Sequence, residues 1–202
     1  MQLIHKQERT ELENDTSAIK QILIKVSELI EQENVVFSHL LVDEVEVYDN
    51  HEAYIKERIN EIMAIEIVTK TPSEMIWETM DSIYGYLGRA IPALKNLVDE
   101  SYDHFNDETW TGIDQLAEGM QWIIQFKAYV EATEEQPDHW QEINQHIVAC
   151  ESGFVPLLEA VQTRDTVLIT DILAYEITPA YEGLERVIGE SLKNKESMKH
   201  VN

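Results

Sequence analysis

His139 and His146, seven residues apart with Glu142 between them, are the residues in this chain whose types and spacing first suggest chemistry. On a helix the three fall on one face. A metal site of the di-iron kind, held inside a helical bundle, needs Glu-x-x-His on two helices and a Glu on each of the others. No Glu-x-x-His occurs in the helical part of this chain, and no second histidine cluster completes a shell: His104 stands alone and His200 lies at the end. Cys150, four residues after His146, suggests a thiolate–imidazole pair. It falls on an apolar stripe, however, where cysteines are ordinarily inert core residues. Gly-x-Ser-x-Gly, a phosphate-binding glycine loop and Gly-x-Gly-x-x-Gly are all absent. The expectation is no catalytic residue, no metal and no cofactor.

Three prolines carry more information. Pro92 ("RAIPALKNL"), Pro156 ("GFVPLLEAV") and Pro179 ("YEITPAYEGL") each interrupt an otherwise helical pattern. A proline there removes a backbone donor and presses on the carbonyl four residues back, at a cost of ~3 kcal/mol. Counted along their helices, the three breaks fall in one stratum. Gly88 before Pro92 and Gly153 before Pro156 leave room for such kinks. Two readings follow. Either three long helices bend around a core, or the breaks frame a pocket lined by Arg89, His146, Glu151, Tyr175, Glu176 and Tyr181. Trp110 and Trp140 read as core. Trp77 and Trp122 fall off the tightest stripe and read as packing against the N-terminal domain or as an exposed anchor for a partner.

Charge narrows the partners. The chain has 15 Lys and Arg against 39 Asp and Glu, a formal net charge of −24. Between Asn96 and Thr163 the one basic residue is Lys127, set against fourteen acids. Such a surface does not follow phosphate backbones or anionic membranes. The N-terminus lacks the apolar core of a signal peptide, no apolar run approaches the ~18 residues of a membrane span, and a lone cysteine forms no internal disulfide. The expected location is the cytoplasm.

The elements follow from periodicity. Residues 1–13 suggest a polar strand. Asn14 and Asp15 cap a helix carrying Ile19, Ile22, Leu23, Val26, Leu29 and Ile30. "VVFSHLLVDEVEVYDN" reads as two strands about a turn at Asp43 and Glu44. Asp49 with Glu52 suggests a capping box for a short helix with Ile55, Ile59 and Ile62, and "AIEIVTKT" alternates as a strand. The order β-α-β-β-α-β predicts a ferredoxin-like domain over residues 1–70, with both helices on one face of an antiparallel sheet. At "KTPSEMIW" Thr71, Pro72 and Glu74 mark a strong helix start. Helical periods then continue, with new helices opening near Asn106, Pro137 and Asp165. The fold class is α+β: the small domain, an antiparallel four-helix bundle over 71–194 with proline-kinked helices, and a frayed tail at 195–202.

"SHLLVDEVEVYDNHEAYI" and "DTVLITDILAYEITPAYEGL" resemble segments of uncharacterised, acidic, largely helical proteins from Gram-positive bacteria, and the resemblance runs over most of the chain. It implies a small bacterial cytosolic protein and carries no activity. The function expected is a non-enzymatic interaction protein, an adaptor or chaperone-like helical bundle that binds another protein or itself. The alternative is a small-molecule binder or enzyme using a pocket at the level of the kinks. An apolar groove open along the side between helices favours a partner helix. A closed cavity lined by Arg89, Glu176 and tyrosines favours a ligand.

Overall fold

The computed structural model describes residues 1–103 and 105–199; His104 and His200 lie outside the described residues. The chain is α+β and divides into two compact units, Met1–Met75 and Ile76–Asn202. In the first, β1 (Gln2–His5) and β2 (Glu8–Glu11) precede α1 (Thr16–Glu33), β3 (Val36–Val42), β4 (Val45–Val47), α2 (His51–Arg58) and β5 (Ala64–Lys70). The stretch expected to be one polar strand is a hairpin, turned at Lys6 with φ 52°. Every residue of β2 is exposed, which explains the missing apolar signal.

The five strands lie in the order β2-β1-β5-β3-β4. β1 runs parallel to β5, so the antiparallel ferredoxin-like sheet does not form. The register pairs Leu3 with Ile65, Ile65 with Val42 and Ile67 with Leu40, placing these side chains on one face. They share a core with Ile19, Ile22 and Leu29 of α1 and Ile55 of α2. Asp43 and Glu44 form a two-residue turn with both φ angles positive, 46° and 70°. No glycine is needed, because the Asp43 carboxylate fixes the turn by accepting from the backbone N–H groups of Met63 and Ala64 at 3.1 and 2.8 Å.

Caps behave unequally. Asp15 caps α1 by accepting from the Ser17 N–H at 2.7 Å, and the Ser17 hydroxyl, with that N–H, holds its carboxyl below the usual range. The Asp49–Glu52 box is not formed. α2 instead starts after Asn50, which is in the left-handed region and makes no side-chain cap. The box at Thr71 is complete: the Thr71 N–H donates to Glu74 at 2.8 Å and the Glu74 N–H to the Thr71 hydroxyl at 3.1 Å.

The second unit is helical. α3 (Pro72–Asp103) is followed by α4 (Asp107–Ala132) and α5 (Trp140–Thr163). α5 begins at Trp140 rather than Pro137, after His139 in the left-handed region. The last helical run has three parts: α6 (Thr166–Ile172), a π segment (Leu173–Ile177) and α7 (Thr178–Lys199). Pro179 stands just past the π segment. It has no N–H for the carbonyl of Tyr175, and the wider turn absorbs the mismatch. There the Thr178 backbone N–H and hydroxyl both donate to the Leu173 carbonyl, the hydroxyl at 2.7 Å. α7 continues to Lys199 instead of stopping at 194, with Lys195 lying 4.3 Å over the Trp77 ring; the rest of the expected tail is outside the described residues. Ile83 and Leu87 of α3, Met120 and Ile123 of α4, Ile147 and Leu157 of α5, and Leu184 and Val187 of α7 belong to one core. Among the described residues no helix is long and apolar enough to cross a membrane.

Candidate functional site

Of the residues expected to share a pocket, His146 and Glu176 both meet the seam of α5 with the last helix, Glu176 within 3.5 Å of where a Cβ at Gly153 would stand. Arg89, Tyr175 and Glu176 are exposed. Glu151 is bound to Lys127 of α4 at 2.8 Å. Tyr181 is fully buried, its hydroxyl without a partner in ordinary hydrogen-bond geometry; burial, and the Tyr86 hydroxyl from farther off, push its pKa well up. His146 fills the notch left by Gly183 of α7, where a Cβ would overlap the imidazole. His139 and Glu142 also meet α7. Asn194 lies 3.2 Å from the His139 ring, and Arg186 binds Glu142 at 2.8 Å, holding that carboxyl below the usual range. Among the described residues no three histidine, cysteine or acidic side chains gather as a metal shell would. Cys150 is buried in the core, and burial pushes its thiol up to about 12, so little thiolate forms near neutrality.

The tryptophans also resolve within the helical unit. Trp140 is buried and packs edge-on against Phe126, and Trp110 packs against Phe105. Trp77 and Trp122 are partly buried against the helical core, Trp122 edge-on to Tyr86 at 6.1 Å.

A different feature has the shape of a site. Two glycines of α4, Gly112 and Gly119, are seven residues apart and so lie on one face. A Cβ at Gly119 would overlap the Tyr86 hydroxyl, and one at Gly112 would stand 3.0 Å from a Leu97 methyl. α3 therefore lodges Tyr86 and Leu97 in α4, about 16 Å apart at 1.5 Å per residue. Between these plugs α3 offers Ala90 and Ala93, too short to reach across. The result is a slot of about 170 Å³ lined by Tyr86, Ala90, Ala93, Leu94, Leu97, Gly112, Gln115 and Leu116. Ala93 and Gln115 are exposed, so the slot opens along its side. Pro92 falls between the two alanines in the sequence of α3 but does not line the slot, and it is exposed. The sequence reading missed these residues, although Gly112 and Gly119 at helical spacing opposite Ala90 and Ala93 were the available signal.

A second hollow borders the π segment, lined by Lys95, Val98, Asp99, Ala174 and Thr178. Lys95 is bound to Glu182 at 2.6 Å. One turn away the Tyr102 hydroxyl donates to Asp171 at 3.4 Å; its bond with Tyr175, aided by Asp171, pushes Tyr102 up to about 12.

Residues 78–187 match the family model described as "Domain of unknown function (DUF8042)", and this match covers more than half of the 202 residues. The chain belongs to the DUF8042 family. The DUF8042 region starts inside α3 and ends inside α7, so it contains both walls of the slot and the whole π segment. The whole of the first unit lies outside it. No curated protein and no solved structure matches the chain.

Proposed function

We propose that the helical unit is an antiparallel four-helix bundle acting as a non-enzymatic, cytoplasmic interaction protein, an adaptor or chaperone-like module that docks another protein. Cross-helix pairs support the antiparallel arrangement. Leu97 meets Gly112 while Tyr86 meets Gly119, and along α7 Lys95 meets Glu182 while Tyr84 meets Gly189. The observation that carries the function is the α3–α4 slot, which is apolar, open along its side and backed by the buried Leu94 and Leu116. Grooves of this shape between helices are suited to the apolar face of a partner helix.

The test is a photo-crosslinking amino acid placed at Gln115 in cells. A discrete adduct that disappears when the slot is filled by Ala93→Trp is the expected result. Adducts indifferent to Ala93→Trp, or none at all, contradict the reading.

A further inference from the structure

The charges around the slot specify its occupant further, on the footing that the slot is a docking site. On α4, the exposed residues Asp114 and Glu118 flank Gln115; on α3, Glu100 is exposed one turn beyond Asn96. Arg89 stands against them on α3. Farther along α4 and α5 the one cation between Asn96 and Thr163, Lys127, is bound to Glu151 at 2.8 Å and so not available to a partner. An incoming surface therefore meets a rim that is net acidic on a chain of net charge −24. A second copy would bring the same charge and be repelled.

Size sets the anchor. A cavity of ~150 Å³ holds a benzene-sized group, and this slot, at about 170 Å³, takes one large side chain and not two. Its lining follows α3 for about three turns, from Tyr86 to Leu97, and α4 for little more than one, from Gly112 to Leu116. That length suits a helix laid along it, with one residue pointing in and its neighbours at three- and four-residue spacing on the rim.

We propose that the slot receives a single leucine or phenylalanine from a basic amphipathic helix of another protein, whose Lys and Arg side chains meet Asp114, Glu118 and Glu100. The anchor is held by burial of apolar surface, while the charges speed encounter and reject acidic partners. The interaction weakens with salt, because the rim groups are exposed.

The probe is a short fluorescent amphipathic peptide with lysines on its polar face and one central leucine, followed by anisotropy with the full chain. Two companions are an anchor-to-alanine peptide and one with glutamates in place of the lysines. The lysine peptide should bind, and each companion should bind at least about tenfold more weakly, as should the lysine peptide to Ala93→Trp. Asp114→Asn with Glu118→Gln should reduce both affinity and its salt dependence, with circular dichroism unchanged. Mere adsorption to an acidic protein would survive Ala93→Trp and loss of the anchor, and that result overturns the proposal. If the glutamate peptide binds equally and Ala93→Trp still blocks it, docking stands and the basic partner falls. A Gln115 cross-link to a second copy of the chain also overturns it.

Discussion

The seam between α5 and the last helix and the slot between α3 and α4 use one device, a glycine seating a side chain from across the interface, with different results. In the α5 seam the glycines alternate. Gly153 of α5 faces Ile177, whose Cδ1 would lie 2.8 Å from an added Cβ, while Gly183 of α7 takes the His146 ring. Gly153 and Ile177 are buried, and Arg186 joins Glu142 across the same seam. In the other pair both glycines belong to α4 and both plugs to α3, with alanines between. Alternation lets each helix fill the other's gaps. One-sided seating pins two points and leaves the stretch between them vacant, so the arrangement of the glycines helps decide whether a glycine-seated helix pair makes a core or a site.

That contrast breaks most visibly under volume changes. Leu184→Ala removes a fully buried side chain of the shared core and should cost about 2–5 kcal/mol. Ala93→Leu adds volume where α3 borders the slot and should be neutral or stabilise by up to about 2 kcal/mol. Urea midpoints of the two variants measure this; a destabilised Ala93→Leu would mean the slot is already filled by neighbouring side chains. A smaller difference separates the glycines. Gly→Ala in a helix gains about 1 kcal/mol in propensity. At Gly183 the new methyl must expel the His146 ring from its notch, which should leave a net loss of about 1–3 kcal/mol. At Gly119 it meets the end of the Tyr86 side chain, which can swing into the vacant slot, so the net change should stay within about 1 kcal/mol of zero. Equal losses at both positions would remove the distinction.

How much of this was legible in the sequence depended on the range of the interaction. Thr71, Pro72 and Glu74 announce the start of α3 through contacts three residues apart, and the capping box forms there. The helical runs after it follow from apolar period alone. The turn at Asp43 was harder to read because its support comes from Met63 and Ala64, twenty residues on. The hairpin at Lys6 was missed for lack of turn residues and of any buried residue in β2. The sheet order was not readable either, since pairing β1 with β5 joins the two ends of the first unit. The prolines pointed to helix irregularity, and beside Pro179 it takes the form of a π segment, which periodicity cannot distinguish from a plain bend. Gly153 reads locally as a companion of Pro156, yet its close neighbour is Ile177. The slot was hidden for the same reason: Ala90 and Ala93 are unremarkable until the register with Gly112 and Gly119 is known.

The most direct measurement is an amide NMR titration of the full chain with the leucine-anchored lysine peptide. The account predicts shifts concentrated at Ala90, Ala93, Gly112 and Gln115, with Gly153, Gly183 and His146 unmoved. Shifts spread evenly over the acidic surface, or centred on the seam of α5 with α7, would contradict it.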